Sequence, residues 1–219
     1  MNAINEYARQ VMDLIPPAHP ERDRIELDLR AHLEETVAEL GGSPSAAFDR
    51  MGDPREVALA YLAEIPMRYA GVGRRVVAFF IDMLAGLAVL GTVAVMCLLV
   101  FGLLTVVEET ANPEPPELSL ALFAVSGIAF VALLALLSIA YFPLLEWRFG
   151  QTLGKYLLGI YVTHEDGLRP SLPATIVRRI PFFLEFFWID ALVAFFTERN
   201  QRAFDLVART VVVENQRTG

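Results

Sequence analysis

Two long apolar runs, residues 76–107 and 118–145, constrain this chain more than any other feature. Both are built almost wholly from Val, Leu, Ala, Ile and Phe. A run of about 18 or more apolar residues reads as a transmembrane helix, because roughly 20 residues cross ~30 Å of hydrocarbon. Both runs are longer than that, which predicts tilt or projection beyond the bilayer. The surplus also lifts the whole chain to 55% hydrophobic residues with a mean hydropathy of +0.46, above the roughly 45–50% of an ordinary soluble domain.

The charge is unevenly divided. Residues 1–73 carry 13 acidic and 7 basic side chains, and the remaining residues 13 and 11. An acidic front segment argues against nucleic-acid binding, which needs a basic footprint. Lys155 is the only lysine, and Cys97, the only cysteine, lies inside an apolar run, so neither an intramolecular disulfide nor a cysteine-based zinc site is expected. The opening residues have neither the basic start nor the apolar stretch of a signal peptide.

Ahead of the apolar runs the spacing is helical. Tyr7, Val11, Leu14 and Ile15 form one stripe, and Ile25, Leu29, Leu33, Val37 and Leu40 another. Pro16, Pro17 and Pro20 separate the two, and Gly41-Gly42 ends the second. A third helix is predicted from Ser43 or Ser45. A fourth is predicted with Asp53 as N-cap, Pro54 in the first turn and Glu56 behind it. Narrow apolar faces on short helices must pack on one another, so residues 3–65 read as a small helical module in water. The phrases "HLEE" and "GDPREVA" within it resemble the HAAS family, small all-helical signalling domains found beside regulators or ahead of membrane segments. His32 has no His or Cys at helical ligand spacing and reads as a packing or surface residue rather than a metal ligand.

The connecting segments suggest an orientation. Residues 108–117, "EETANPEPPE", carry four glutamates and no Lys or Arg. Residues 146–179 carry Arg148, Lys155, Arg169, Arg178 and Arg179. Under the positive-inside rule the acidic linker faces out, while the N-terminal module and the basic loop face the cytoplasm. Within that loop, Asp166-Gly167 follows a β-type stretch and signals a hairpin. "RTVVVEN" near the C-terminus is also β-rich, and the two stretches can share a sheet only on one membrane face. The third apolar segment, 180–196, is near the minimum for a span and contains Pro181, Glu185 and Asp190. A crossing there would put Arg199, Arg202, Arg209 and Arg217 outside, so a re-entrant or interfacial helical hairpin is the better expectation. If the segment is re-entrant, Glu185 and Asp190 line a wet cavity; if it lies on the surface, the preferred reading, they face water. The predicted fold class is all-α: a soluble helical domain over 1–68, then a helical transmembrane domain over 69–219 with a short cytoplasmic β-hairpin or sheet.

Charged residues at the start of the first run raise the question of function. Arg74 and Arg75 read as interfacial anchors. Asp82 lies roughly 10 Å deeper on nearly the same helix face as Arg75. It costs up to ~3 kcal/mol there unless paired or wet, which makes it either a functional-site candidate or one half of a structural ion pair that fixes helix packing. "RRVVAFFIDMLAG", "EWRFGQTLGKYLLGIYVTHEDG" and "RAFDLVARTVVV" occur in that order and resemble the RDD family of membrane proteins, named for one arginine and two aspartates. The resemblance implies Arg75, Asp82 and Asp205 as the three, with Phe204 standing where many members have histidine. Some members are proposed to exchange monovalent cations for protons. In the middle motif, Gln151 and Thr152 are placed to cap a short helix, and the spacing is not that of a Walker A loop. Lys155 is expected on an interfacial helix, meeting anionic headgroups. The sharper alternative has it neutralising Asp82 or Asp205. Of Arg178 and Arg179, one is expected to anchor and the other to point inward.

His19, His32 and His164 are scattered, and no nucleophile–base pair, HExxH or cysteine pair occurs. No enzymatic activity, cofactor or metal is expected. Two functions follow from the sequence. One is a monovalent cation/proton exchanger, alone or as a component, working through intramembrane carboxylates; two spans are too few for a pore in one chain, so it implies a homo-oligomer. The other is a membrane-anchored signalling module whose acidic helical domain binds a cytoplasmic protein. Either way the partner is the lipid bilayer, and the location a cell membrane crossed more than once.

Overall fold

A computed structural model describes residues 3–111, 116–184 and 186–215. The chain divides into two compact units, residues 1–79 with 143–219, and residues 80–142.

The first unit opens with four helices, α1 (Ala3–Leu14), α2 (Arg22–Glu39), α3 (Pro44–Met51) and α4 (Pro54–Ala63). The predicted starts hold: Ser43 precedes α3, and the Asp53 carboxylate caps α4 by accepting from the Arg55 N–H at 2.7 Å. Tyr7, Val11, Met12, Ile15, Ile25, Leu29, Leu33, Ala58 and Leu62 close one core. The stripe on α2 drifts as a 3.6-residue period requires, so Thr36, not Val37, is the next buried position. His32 is exposed. Leu168, more than a hundred residues beyond α4, completes this core, and the Arg169 N–H donates to the Leu14 carbonyl at 2.7 Å. The helical module therefore shares its interior with the loop that follows the apolar runs.

Two long helices carry those runs, α5 (Val72–Ala111) and α6 (Pro116–Phe149). Residues 112–115 of the acidic linker lie outside the described residues. Among the described residues one stretch, Val72–Val100, is long and apolar enough to cross a membrane by length and composition; as a helix it measures about 43 Å. Leu84, Leu87, Leu98, Leu99 and Leu103 are all more than half exposed. A helix that is apolar all round and uncovered is out of place in water. Within the second unit Asp82 is the contrast, 4% exposed.

Gly150 stops α6 with a φ of +76°, and an added Cβ would press on the Val162 carbonyl at 3.4 Å. Beyond it come α7 (Leu153–Leu157), β1 (Ile160–His164), α8 (Leu172–Val177), α9 (Ile180–Phe183), α10 (Phe187–Val193), α11 (Ala203–Val207) and β2 (Thr210–Glu214). β1 and β2 pair antiparallel, Ile160 opposite Glu214 and His164 opposite Thr210. The expected turn at Asp166-Gly167 forms, with the His164 N–H donating to the Leu168 carbonyl at 2.8 Å. It does not make a local hairpin, because the residues after it join the N-terminal core and β1 takes its partner from the distant β2. Val162 and Val212 pack on Ala70 and Ala78, while Tyr161, Val211 and Val213 pack towards Ala18, Met67 and Tyr69. Cover on both faces explains why β2 reads as a solid valine run rather than an alternation.

The third apolar segment is broken. Helices α9 and α10 have four and seven residues, about 6 and 10 Å, against the ~30 Å of a hydrocarbon layer. Phe79 holds them down, with ring centroids 6.5 Å from Phe182 and 5.3 Å from Phe187. The strands β1 and β2 are bonded in one sheet, so residues 165–209 leave that sheet and return to it.

Candidate functional site

Three short helices of the first unit, α7, α10 and α11, are inside out. On α10, Asp190 is buried while Trp188, Ile189 and Leu192 are exposed. On α7, Lys155 and Gly154 are buried while Leu153, Tyr156 and Leu157 are exposed. On α11, Asp205 is buried while Leu206 and Val207 are exposed. Turning charge inward and hydrocarbon outward reverses the rule for a surface helix in water. It requires that the buried charges meet one another.

They meet in one cluster of eight side chains. The first turn of α5 supplies Arg75, the last turn of α6 Glu146, and α7 Lys155. The junction of α8 and α9 supplies Arg178 and Arg179, α10 supplies Asp190, and the start of α11 Arg202 and Asp205. Asp205, wholly buried, takes Arg75, the Arg178 Nε at 2.8 Å and the Arg202 Nη2 at 3.3 Å. It also closes the capping box of α11, accepting from the Arg202 backbone N–H at 3.1 Å. Glu146, equally buried, takes Lys155, the Arg179 Nη2 at 2.8 Å and the Arg178 Nη1 at 3.4 Å. Asp190 accepts from the Phe204 N–H at 2.8 Å and lies 3.7 Å from the Arg202 Nη1. Arg178, 1% exposed, links the two main carboxylates.

Removing one partner from a buried ion pair costs several kcal/mol, and each of these charges would be costly alone. The titration of the cluster follows from its geometry. Burial on its own would raise the Asp205 carboxyl, but Arg178, Arg202 and Arg75 outweigh it and hold Asp205 well below the usual carboxylate range. Lys155 goes the other way: burial, with Arg178 and Arg179 nearby, outweighs Glu146 and lowers its ammonium to about 7. Asp205 is thus a fixed negative charge at physiological pH, and Lys155 the group poised to exchange a proton.

The structure brings together five of the six residues singled out from the sequence: Arg75, Lys155, Arg178, Arg179 and Asp205. Asp82 lies in the second unit. Several local expectations change. Lys155 does not reach out to headgroups, nor does it pair with Asp205; it folds inward to Glu146, because α7 turns its apolar side out. Arg178 and Arg179 both point inward, since each has a buried carboxylate to meet. Asp190 is 3% exposed rather than facing water, and Glu185 lies outside the described residues. Glu146, Asp190 and Arg202 were missed. The signal for Arg202 was available, three residues ahead of Asp205 at the start of a helix. For Glu146 there was only its place at the very end of an apolar run. The backbone of Phe204, where histidine was expected, serves Asp190, a role open to any residue but proline. Among the described residues no group of three His, Cys, Asp or Glu is arranged to hold a metal.

The sequence matches the RDD family over residues 69–209, a span that contains all eight members of the cluster. The chain belongs to the RDD family. Arg75 and Asp205, which the resemblance implied as the family's arginine and last aspartate, are direct partners here. The match begins after α4, so the four N-terminal helices stand ahead of the RDD region. No curated protein and no solved structure matches the chain.

Proposed function

We propose that this RDD protein is a membrane-anchored interaction module, with its N-terminal helices held at the cytoplasmic surface to engage a protein partner. One observation carries the reading: the two main carboxylates of the RDD region, Asp205 and Glu146, are each engaged by three cations. A cation pathway needs carboxylates that can be vacated, but Asp205 is shared by three arginines and Glu146 by two arginines and a lysine. Such a cluster suits a rigid footing. The shared core at Leu168 would pass that rigidity to the helical module, which keeps its HAAS-like phrases and its acidic surface. The basic loop and the acidic linker favour a cytoplasmic side for this unit, with α5 and α6 as the crossing helices. A photo-crosslinking residue in place of Leu27, an apolar side chain 69% exposed on α2, tests the reading in intact cells. The expected result is one discrete protein adduct that is lost on Arg24→Glu, which reverses the neighbouring charge. No adduct there or elsewhere on α2 and α3 would overturn it.

A second reading, exchange of a monovalent cation for a proton by an oligomer, is favoured by Asp82. This carboxylate is buried within an otherwise exposed apolar stretch, and ionisable residues at such depth commonly mark ion pathways. Cation-driven proton movement in everted vesicles, abolished by Asp82→Asn, would establish it. If wild-type vesicles behave like empty ones, the exchanger is excluded.

A further inference from the structure

Among the described residues the ion pairs of the cluster set Arg75, Arg178, Arg179 and Arg202, with Lys155 adjustable near neutrality, against Glu146, Asp190 and Asp205. Buried charge of one sign is costly unless a counterion joins it. Hydrogen bonding leaves gaps on both sides. Glu146 Oε2 and Asp190 Oδ2 lack formal hydrogen bonds, yet each lies within ion-pair range of an arginine, at 3.4 and 3.7 Å. The Nη2 of Arg178, in a side chain 1% exposed, has no acceptor. A guanidinium fork with one prong unmet is built for a planar or tetrahedral oxyanion. The cluster reaches the surface at Arg202, Lys155, Arg75 and Arg179, whose side chains are 16, 11, 10 and 10% exposed.

The surroundings indicate where that oxyanion comes from. The helices that bury these charges expose Leu153, Tyr156, Trp188, Ile189, Leu192 and Leu206 on their other sides. A small soluble anion has no use for that apolar skirt, whereas a lipid does. Acyl chains lie along the apolar side chains, tryptophan sits at headgroup level, and the headgroup phosphate faces the arginines. We infer that the arginine–carboxylate cluster is a binding site for the phosphate of an anionic phospholipid, with Arg178 as its central donor. The inference rests on the membrane reading above and is independent of what α2 engages.

Full-length protein in nanodiscs of phosphatidylcholine with or without phosphatidylglycerol provides the test, read by native mass spectrometry after release into detergent. The wild type should retain phosphatidylglycerol in preference to phosphatidylcholine. Arg178→Lys keeps the charge but loses the fork, and Arg202→Gln removes the most exposed cation. Each should weaken retention about tenfold, the scale of one charge-assisted hydrogen bond. Arg74→Gln, at an arginine 53% exposed and paired with Glu214 outside the cluster, should leave retention unchanged. If Arg178→Lys does not fold, Arg202→Gln alone decides. Equal retention of the two lipids, or phosphatidylglycerol retained undiminished by the variants, overturns the site. Inorganic phosphate at millimolar concentration stabilising lipid-free protein as much as phosphatidylglycerol does would overturn the lipid assignment. A chain that fails to enter nanodiscs refutes the membrane reading itself, whereas one that enters without lipid preference refutes only this site.

Discussion

Lys155 is a lysine whose charge state the fold makes adjustable near neutrality. Its partner Glu146 favours the ammonium, while burial and the neighbouring Arg178 and Arg179 oppose it, and the balance falls at about 7 instead of 10.5. Because the chain has a single lysine, a ¹³C label at its Cε reports one titration without ambiguity. The expected midpoint lies near pH 7; a midpoint above 10 would mean that the side chain is solvated. The sign for stability follows. A lysine with a lowered folded pKa binds its proton more weakly in the folded chain than in the unfolded one. Its contribution to stability therefore grows as pH rises from about 7 to about 10.5 and is flat below 7. Asp205 contrasts with it. Asp205→Ala takes one carboxylate from Arg75, Arg178 and Arg202 at once, leaving Arg178 only Glu146 and Arg202 only Asp190, whereas Arg75→Ala leaves Asp205 two arginines. Thermal unfolding should show the aspartate variant losing about 3–5 kcal/mol and the arginine variant clearly less. Equal losses would mean that the three arginines do not act on one carboxylate.

At the level of elements, legibility in the sequence depended on whether the signal was local. Asp53 caps α4 and Gly150 ends α6 because capping and left-handed backbone need only the residue and its neighbours. The long apolar helices were legible for the same reason. Strand pairing was legible only as a compatibility: β1 and β2 are joined across four helices, and nothing near Asp166-Gly167 reveals that its strand is completed by residues 210–214. The inward turn of α7, α10 and α11 was hidden too, since a helix with one charge and several apolar residues looks alike whichever side faces out. The eight-residue cluster was legible in Arg75 and Asp205 through resemblance, and illegible in Glu146 and Asp190, whose partners are assembled from remote segments. Two variants examine these elements. Gly150→Ala places a Cβ in a backbone conformation costing roughly 1–2 kcal/mol for an L-residue and against the Val162 carbonyl; it should lower the melting temperature, while Gly71→Ala, in open space, should not. In a Cys97→Ser background, a cysteine at Thr218 should resist an impermeant thiol reagent added to intact cells, because β2 shares a sheet with β1 and the proposed orientation puts that sheet inside. Rapid labelling would put the sheet outside and overturn the orientation.

For the whole molecule, the decisive property is that the N-terminal helices and the RDD region are not two separately closed bodies. The change of sequence character near residue 68 suggests a boundary there, yet the first compact unit runs through it and takes in residues 143–219 as well. Leu168 sits in the core of the N-terminal helices at 6% exposure, and the turn that carries it leads directly from β1. Leu62 lies against that turn, where an added Cβ on Gly167 would meet its side chain at 3.4 Å. A load on α1–α4 therefore has a packed route to the sheet, and the sheet is one loop away from Asp205. Leu168→Ala examines this coupling. Truncating a buried leucine costs about 2–5 kcal/mol, and in a shared core that cost must be felt on the N-terminal side. Hydrogen exchange of the full chain in nanodiscs should then show amides of α2 around Leu29 and Leu33 losing protection, although the substitution lies more than a hundred residues away. The exposed membrane stretch of α5 should keep its rates, because its backbone bonds are internal to the helix and draw nothing from that core. If α2 exchanges as slowly in the variant as in the wild type, the helices close their core without Leu168. The anchor would then hold the module in place without passing any change of shape to it.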